Sequence, residues 1–126
     1  MQEQIKAPKF FLDIVNQVFE IEKKIAQIQE PHSIQRNINK LKEILENDLG
    51  NQTGGEPQGF IYYNPLGEDY NETRTDCEAS IAGTSTENLK IIEVIKPIIR
   101  YRKGGMNIIV QKAIVVVESK KQTKPQ

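Results

Sequence analysis

The spacing of apolar residues changes once along this chain, and that change decides what it can fold into. Up to position 49 they recur every three or four residues, whereas from position 60 onward they come in short β-branched and aromatic runs. Between the two lies GNQTGGEPQG at positions 50–59, with four glycines and one proline. Glycine at this density makes order entropically costly, so the stretch reads as a linker. The expected organisation is a helical segment over residues 1–50, a glycine-rich linker over 51–59, a small β domain over 60–118 and a polar, flexible tail over 119–126. The 126 residues leave room for such a pair of small modules and not for two full-sized domains.

In the helical segment Phe11, Ile14, Val18, Ile21, Ile25 and Ile28 follow one another at intervals of 3, 4, 3, 4 and 3. This is an unbroken heptad stripe, with Phe11, Val18 and Ile25 at one heptad letter and Ile14, Ile21 and Ile28 at the other. Pro8 suits the first helical turn, where its missing N–H loses nothing. A helix over residues 8–30 would be roughly 34 Å long at about 1.5 Å per residue. Pro31 interrupts the period and Ser33 can cap a second helix. Ile34, Ile38, Leu41, Leu45 and Leu49 renew the stripe until Gly50 stops it. The step of six from Ile28 to Ile34 keeps neither register, which predicts a helical hairpin. Phe10, Leu12, Val15 and Phe19 widen the stripe beyond a two-stranded seam. Two such helices cannot bury so many large side chains on each other. An oligomeric helix bundle, formed by a homodimer along the stripe from Phe11 to Leu45, is therefore expected.

Beyond the linker, residues 60–63 read as a short aromatic strand, and residues 89–95, 98–102 and 107–117 are rich in β-branched side chains. Gly104-Gly105 supplies the positive φ of a two-residue hairpin turn, so the last two segments should pair antiparallel. Lys96-Pro97 marks a strand start or an edge. The fold class is α+β, with the helices first and a small, mostly antiparallel β domain after them.

Composition narrows the function. Lysine and arginine together number 17, as do aspartate and glutamate, so no global field favours nucleic acid or an anionic membrane. One histidine and one cysteine exclude a Cys/His zinc site within one chain and leave little for nucleophilic catalysis. His32, beside Pro31, reads as an exposed turn residue and Cys77 as a small buried apolar one. The acidic run of Glu68, Asp69, Glu72, Asp76 and Glu78 lacks the alternating ligands and spaced glycine of a calcium loop, so it reads as a solvated loop. No catalytic group, metal or cofactor is expected. No window is apolar for long enough to span a membrane, and the start MQEQIKAPKF lacks the apolar core of a signal peptide; a cytoplasmic location is expected. Lys96, Arg100, Arg102 and Lys103 form a cationic run without an acid. Such a run either docks a partner's carboxylates or blocks edge-to-edge strand pairing.

Five short segments stand in order in the C-terminal half: Asn64-Pro65, then Glu78-Ala79 preceded by Cys77, then IIEVI at 91–95, then Lys96-Pro97 continued by Arg100-Tyr101, and last Ala113 entering IVVV at 114–117. Taken together they resemble the β domain of the GrpE family, the nucleotide exchange factors of DnaK-type chaperones, over residues 64–117. That family shows Asp-Pro, His-Glu-Ala, a threonine-valine strand leading to a basic-Pro-Gly-Tyr segment, and Arg-Pro-Ala entering a valine-rich terminal strand. This chain has Ile98-Ile99 for Gly-Tyr, Gln111-Lys112 for Arg-Pro, and an insertion before Glu78-Ala79. Its helices resemble the family in architecture alone, the first being shorter. The chain thus looks like a divergent, shortened member.

The resemblance implies a co-chaperone and not an enzyme. A homodimer held by its helices would bind the open form of a chaperone ATPase domain more tightly than the closed form, and ADP would leave without any covalent step. The resemblance places the contact on the β domain, at Asn64, Pro65, Glu78, Lys96, Arg100, Tyr101 and Arg102. The competing expectation is an oligomeric structural or adaptor protein whose β domain binds some other protein. The two share every feature except the ordered segments.

Overall fold

A computed structural model describes residues 9–29, 32–47 and 58–120. In chain order the elements are α1 (Lys9–Ile25), α2 (His32–Asn47), β1 (Gln58–Tyr63), β2 (Asp69–Tyr70), β3 (Cys77–Ala82), β4 (Leu89–Lys96), β5 (Ile98–Lys103), β6 (Met106–Gln111) and β7 (Ala113–Ser119). The class is α+β, with two helices and mostly antiparallel strands. The elements gather into two compact units, residues 1–63 with 99–111 and residues 64–98 with 112–126. The readings placed on Pro8, Pro31, Leu49, Gly50, the linker residues 51–57 and the tail residues 121–126 lie outside the described residues.

The first unit sets α1 and α2 against a three-stranded sheet of order β1-β5-β6. Val15, Val18 and Ile25 of α1, Ile38 and Leu45 of α2, Phe60 of β1 and Ile99 of β5 make one buried cluster, with Phe11, Leu12, Tyr62, Tyr101 and Val110 packed against it. Each large apolar side chain removed from water in this way stabilises by about 1.5–3 kcal/mol. The Gly104-Gly105 turn joins β5 to β6 as an antiparallel hairpin with Lys103 opposite Met106, and Gly104 has the positive φ of 57° that its turn requires. Gln58 and Gly59, expected in the linker, instead open β1. A Cβ on Gly59 would lie 1.9 Å from the backbone oxygen of Leu45, so β1 approaches the last turns of α2 as closely as only glycine allows.

Polar groups tie these elements together. Glu22 on α1 accepts a hydrogen bond from the Tyr62 hydroxyl and faces the Lys42 ammonium at 3.3 Å. Asn16 and Gln111 exchange two amide hydrogen bonds of 3.0 Å. α1 ends at Ile25, earlier than the expected residue 30. There the bonding tightens from Ala26 N–H to Glu22 C=O into Gln27 N–H to Lys24 C=O and Ile28 N–H to Ile25 C=O, the narrower turn common at helix ends. α2 opens at His32, so Ser33 sits inside the helix.

The second unit is built on a four-stranded sheet of order β2-β4-β7-β3. β7 pairs antiparallel with β4 and parallel with β3. Its Ala113, Val115 and Val117 are fully buried, and Ile114 and Val116 between them are half-buried, which is the two-residue period of a strand. In β4 this period is broken by two register shifts, between Ile91 and Glu93 and between Val94 and Lys96. Each bulge adds one residue, so Ile91 and Val94 both point into the core while Ile92 and Ile95 stay exposed. Over β4 lies the turn at Pro65 to Glu68. Asn64 Oδ1 accepts the Leu66 N–H at 3.1 Å, Glu68 N–H bonds Pro65 C=O, and Gly67 and Glu68 exchange backbone bonds of 2.9 Å with Ile91.

Two expectations change here. The run at 107–117 is two strands in two different sheets, parted at Lys112, because Gln111 still pairs with Ile99 whereas Ala113 pairs with Cys77. The division into units also differs from the one placed at the linker: β1, β5 and β6 share their core with the helices, and only the rest of residues 60–118 forms the second unit.

Candidate functional site

The heptad stripe divides by letter. At the letter of Phe11, Val18 and Ile25, Val18 and Ile25 are buried against the three-stranded sheet and Phe11 packs on the same cluster. At the other letter Ile14, Ile21 and Ile28 are 44%, 42% and 46% exposed. α2 repeats the split: Ile38 and Leu45 are buried, and Ile34, Leu41 and Ile44 are exposed along with Phe10 of α1. One set of apolar residues is satisfied within the chain and the other remains on the surface. Six large exposed apolar side chains on the two helices, with Ile28 just beyond α1, are the kind of exposure that marks a protein-binding surface.

The seven candidate contact residues of the β region do not come together in one unit. Asn64, Pro65, Glu78 and Lys96 belong to the second unit, and Arg100, Tyr101 and Arg102 to the first. Pro65 is fully buried and so serves the core, whereas Asn64, Glu78 and Lys96 are exposed. Tyr101 accepts a 2.5 Å hydrogen bond from Gln58 and packs on Phe60 with ring centres 5.4 Å apart. Arg102 donates to Asn47 Oδ1 at 2.5 Å and to the Glu46 carbonyl, satisfying the end of α2, where carbonyls lack helical partners. One of the four cations of the run, Arg102, therefore has structural work at a helix terminus. Sequence reading missed Ile92 and Ile95, 45% and 46% exposed on β4, because bulges leave no mark in a run of β-branched residues.

The acidic run is organised by a cation within it. Arg74 donates to Asp76 and Glu68 at 2.7 Å and to the Asp69 carbonyl at 2.9 Å, making a clasp across the loop before β3. The Arg74 hydrogen bond outweighs desolvation and holds the Asp76 carboxyl below its ordinary range. Burial opposes the charge on Glu22, but Tyr62 and Lys42 overcome it and lower that carboxyl as well. Cys77 is buried, and burial pushes its thiol up to about 11, so at neutral pH it is not a thiolate nucleophile. Because Asp76 and Glu22 are lowered in the folded chain, what they contribute is complete above the unfolded carboxylate range near about 4 and is lost as pH falls through their folded values. The urea midpoint is accordingly expected to be flat from about pH 8 to 5 and to fall below about pH 4, less steeply in Glu22→Gln.

Among the described residues no group of three or more histidine, cysteine, aspartate or glutamate side chains is placed to hold a metal ion. Among them, too, no helix is long and apolar enough to cross a membrane. No family model matches this chain, and neither a curated protein nor a solved structure does so.

Proposed function

We propose that the chain is a GrpE-like nucleotide exchange factor, a cytoplasmic co-chaperone and not an enzyme, that acts as a homodimer on the ATPase domain of a DnaK-type chaperone. The observation that carries the reading is the meeting of the resembling segments in one sheet. Glu78 and Ala79 on β3 stand opposite Ile114 and Val115 on β7, and Ile91 and Val94 of the 91–95 segment stand opposite Val117 and Val115 on its other side. Segments scattered through the sequence are thus adjacent and in register. Asn64 in place of aspartate is chemically mild at this position, since its carbonyl oxygen accepts the Leu66 N–H as an aspartate carboxylate would. Cys77 in place of histidine fills a buried position beside Ala113.

In this reading the helices form a hairpin whose exposed residues Ile14, Ile21, Ile34 and Leu41 pack on a second copy as a four-helix bundle. The partner surface is on the four-stranded sheet, with Ile92 and Ile95 as apolar anchors beside Glu78 and Lys96. Exchange then follows from binding alone: the factor favours the open ATPase domain, and linkage makes nucleotide weaken the factor by the ratio in which the factor weakens nucleotide. At saturation the full chain is expected to speed release of a fluorescent ADP analogue from a DnaK-type chaperone at least tenfold, and Ile92→Asp with Ile95→Asp is expected to abolish the gain. Unchanged release at saturation would overturn the exchange reading and leave the oligomeric adaptor. Acceleration that survives the double change would keep the function and move the contact face.

A further inference from the structure

The order β2-β4-β7-β3 leaves β3 paired on one side only among the described residues. Its six residues pair with β7 without a register shift, and CEASIA contains no proline, lysine or arginine. These are the devices by which proteins keep an edge strand from pairing further. The opposite side of the same sheet has them: β2 is two residues long, and β4 carries two bulges. The open edge of β3 is therefore a template about 20 Å long at 3.3 Å per residue.

A groove of about 500 Å³ reaches β3 and runs over one face of the sheet toward β2. Ala79 and Ile81 of β3 and Leu89 of β4 give it apolar lining, Ile81 being 44% exposed, and Tyr70, Glu72 and Asn88 add a polar rim. Ala79 and Ile81 share one face of β3 with Cys77, while Glu78 lies on the other. The lining contains one carboxylate, Glu72, and no lysine or arginine. Glu78 and Glu87 are exposed nearby in sequence. A strand added to β3 would lay alternate side chains beside the face of Ala79 and beside Glu78, so the site favours apolar groups on one side and cations on the other.

We propose that β3 binds an extended peptide segment of a partner protein in which apolar and basic residues alternate. Backbone hydrogen bonds along the free edge supply the affinity, the apolar residues enter the groove, and the basic residues face Glu78 on the opposite face of β3. The proposal does not rest on the exchange reading: Glu78 is common to both surfaces, but neither the helix face, nor Ile92 and Ile95, nor nucleotide release enters it.

The test uses the full chain and a fluorescein-labelled, end-capped seven-residue peptide of alternating lysine and valine, followed by fluorescence anisotropy. Saturable binding is expected. Methylating alternate backbone nitrogens of the peptide, which removes ladder bonds and leaves the protein untouched, is expected to weaken it at least tenfold. Glu78→Lys is expected to weaken it as well, and Ile81→Lys, at an exposed position, to block the groove. The proposal is overturned if the methylated peptide binds equally well, if an alternating glutamate-valine peptide does, or if no saturation occurs below millimolar concentration. Self-association abolished by Ile81→Lys, without peptide uptake, would also overturn it and assign the edge to a second copy.

Discussion

Gly59→Ala is expected to lower the Tm by about 10 °C or more and to disorder the first unit. A Cβ at this position would sit 1.9 Å from the Leu45 carbonyl oxygen and 2.5 Å from Glu46 backbone atoms, and backbone cannot swing aside as a flexible side chain can. Overpacking of this kind costs about 3 kcal/mol, and in a small domain each kcal/mol moves the Tm by about 4–8 °C. Two other glycines calibrate the measurement. Gly105→Ala meets nothing within 4 Å and should be nearly neutral. Gly67→Ala also meets open space but has a φ of +88°, so it should lose about 1 kcal/mol through backbone strain alone. Thermal melts followed by circular dichroism check the order: Gly59 far below Gly67, with Gly105 at the native value. Equal melts for Gly59→Ala and Gly105→Ala would contradict the close approach of β1 to α2.

Two aspartate variants of α1 should behave in different ways. Val18→Asp places a carboxylate at a site 2% exposed within the cluster of Ile38, Phe60 and Ile99, where an unpaired charge costs several kcal/mol. It is expected to lose about 4 kcal/mol or more and with it the native circular dichroism. Ile14→Asp with Ile21→Asp falls on the exposed letter, so the fold should persist with little change in Tm. If the helices assemble as proposed, the double variant sediments as a monomer at concentrations where the parent chain is a dimer. A folded dimer unaffected by the double change would put the contact elsewhere, and a folded Val18→Asp chain would contradict the buried cluster.

Much of the local structure was legible. Both helices were read from the three-and-four spacing, because a helix that buries one face must repeat its apolar residues at that interval. The β5–β6 hairpin was read from Gly104-Gly105, because few other residues adopt the φ that its turn needs. β3 was missed. CEASIA has one β-branched residue, Ile81, and its strand character comes from pairing with the valines of β7 and not from its own propensity. The split of 107–117 was missed as well: nothing at Lys112 forbids a continuous strand, and the break arises because Gln111 and Ala113 take partners in different sheets.

The candidate site was legible as residue types and not as an arrangement. Arg102 was read as one charge in a cationic run, but its guanidinium reaches Asn47, 55 residues earlier in the chain, and no spacing rule connects the two. Ile92 and Ile95 were legible only as members of a β-branched run, and it is the two bulges of β4 that leave them exposed.

By itself the sequence determined which residues are apolar and at what period, and so the order of helices before strands, the hairpin turn and the α+β class. It also placed Ile14 and Val18 on one stripe without distinguishing them, since a heptad states that two letters are apolar and not which neighbour covers each. That choice belongs to tertiary structure. β1 approaches α2 closely at Gly59, the three-stranded sheet takes up Val18, Ile25, Ile38 and Leu45, and the faces of Ile14, Ile21 and Leu41 are left exposed. The physical reason is that periodicity follows from bonds between near neighbours in sequence, whereas burial depends on which distant segment arrives to exclude the water.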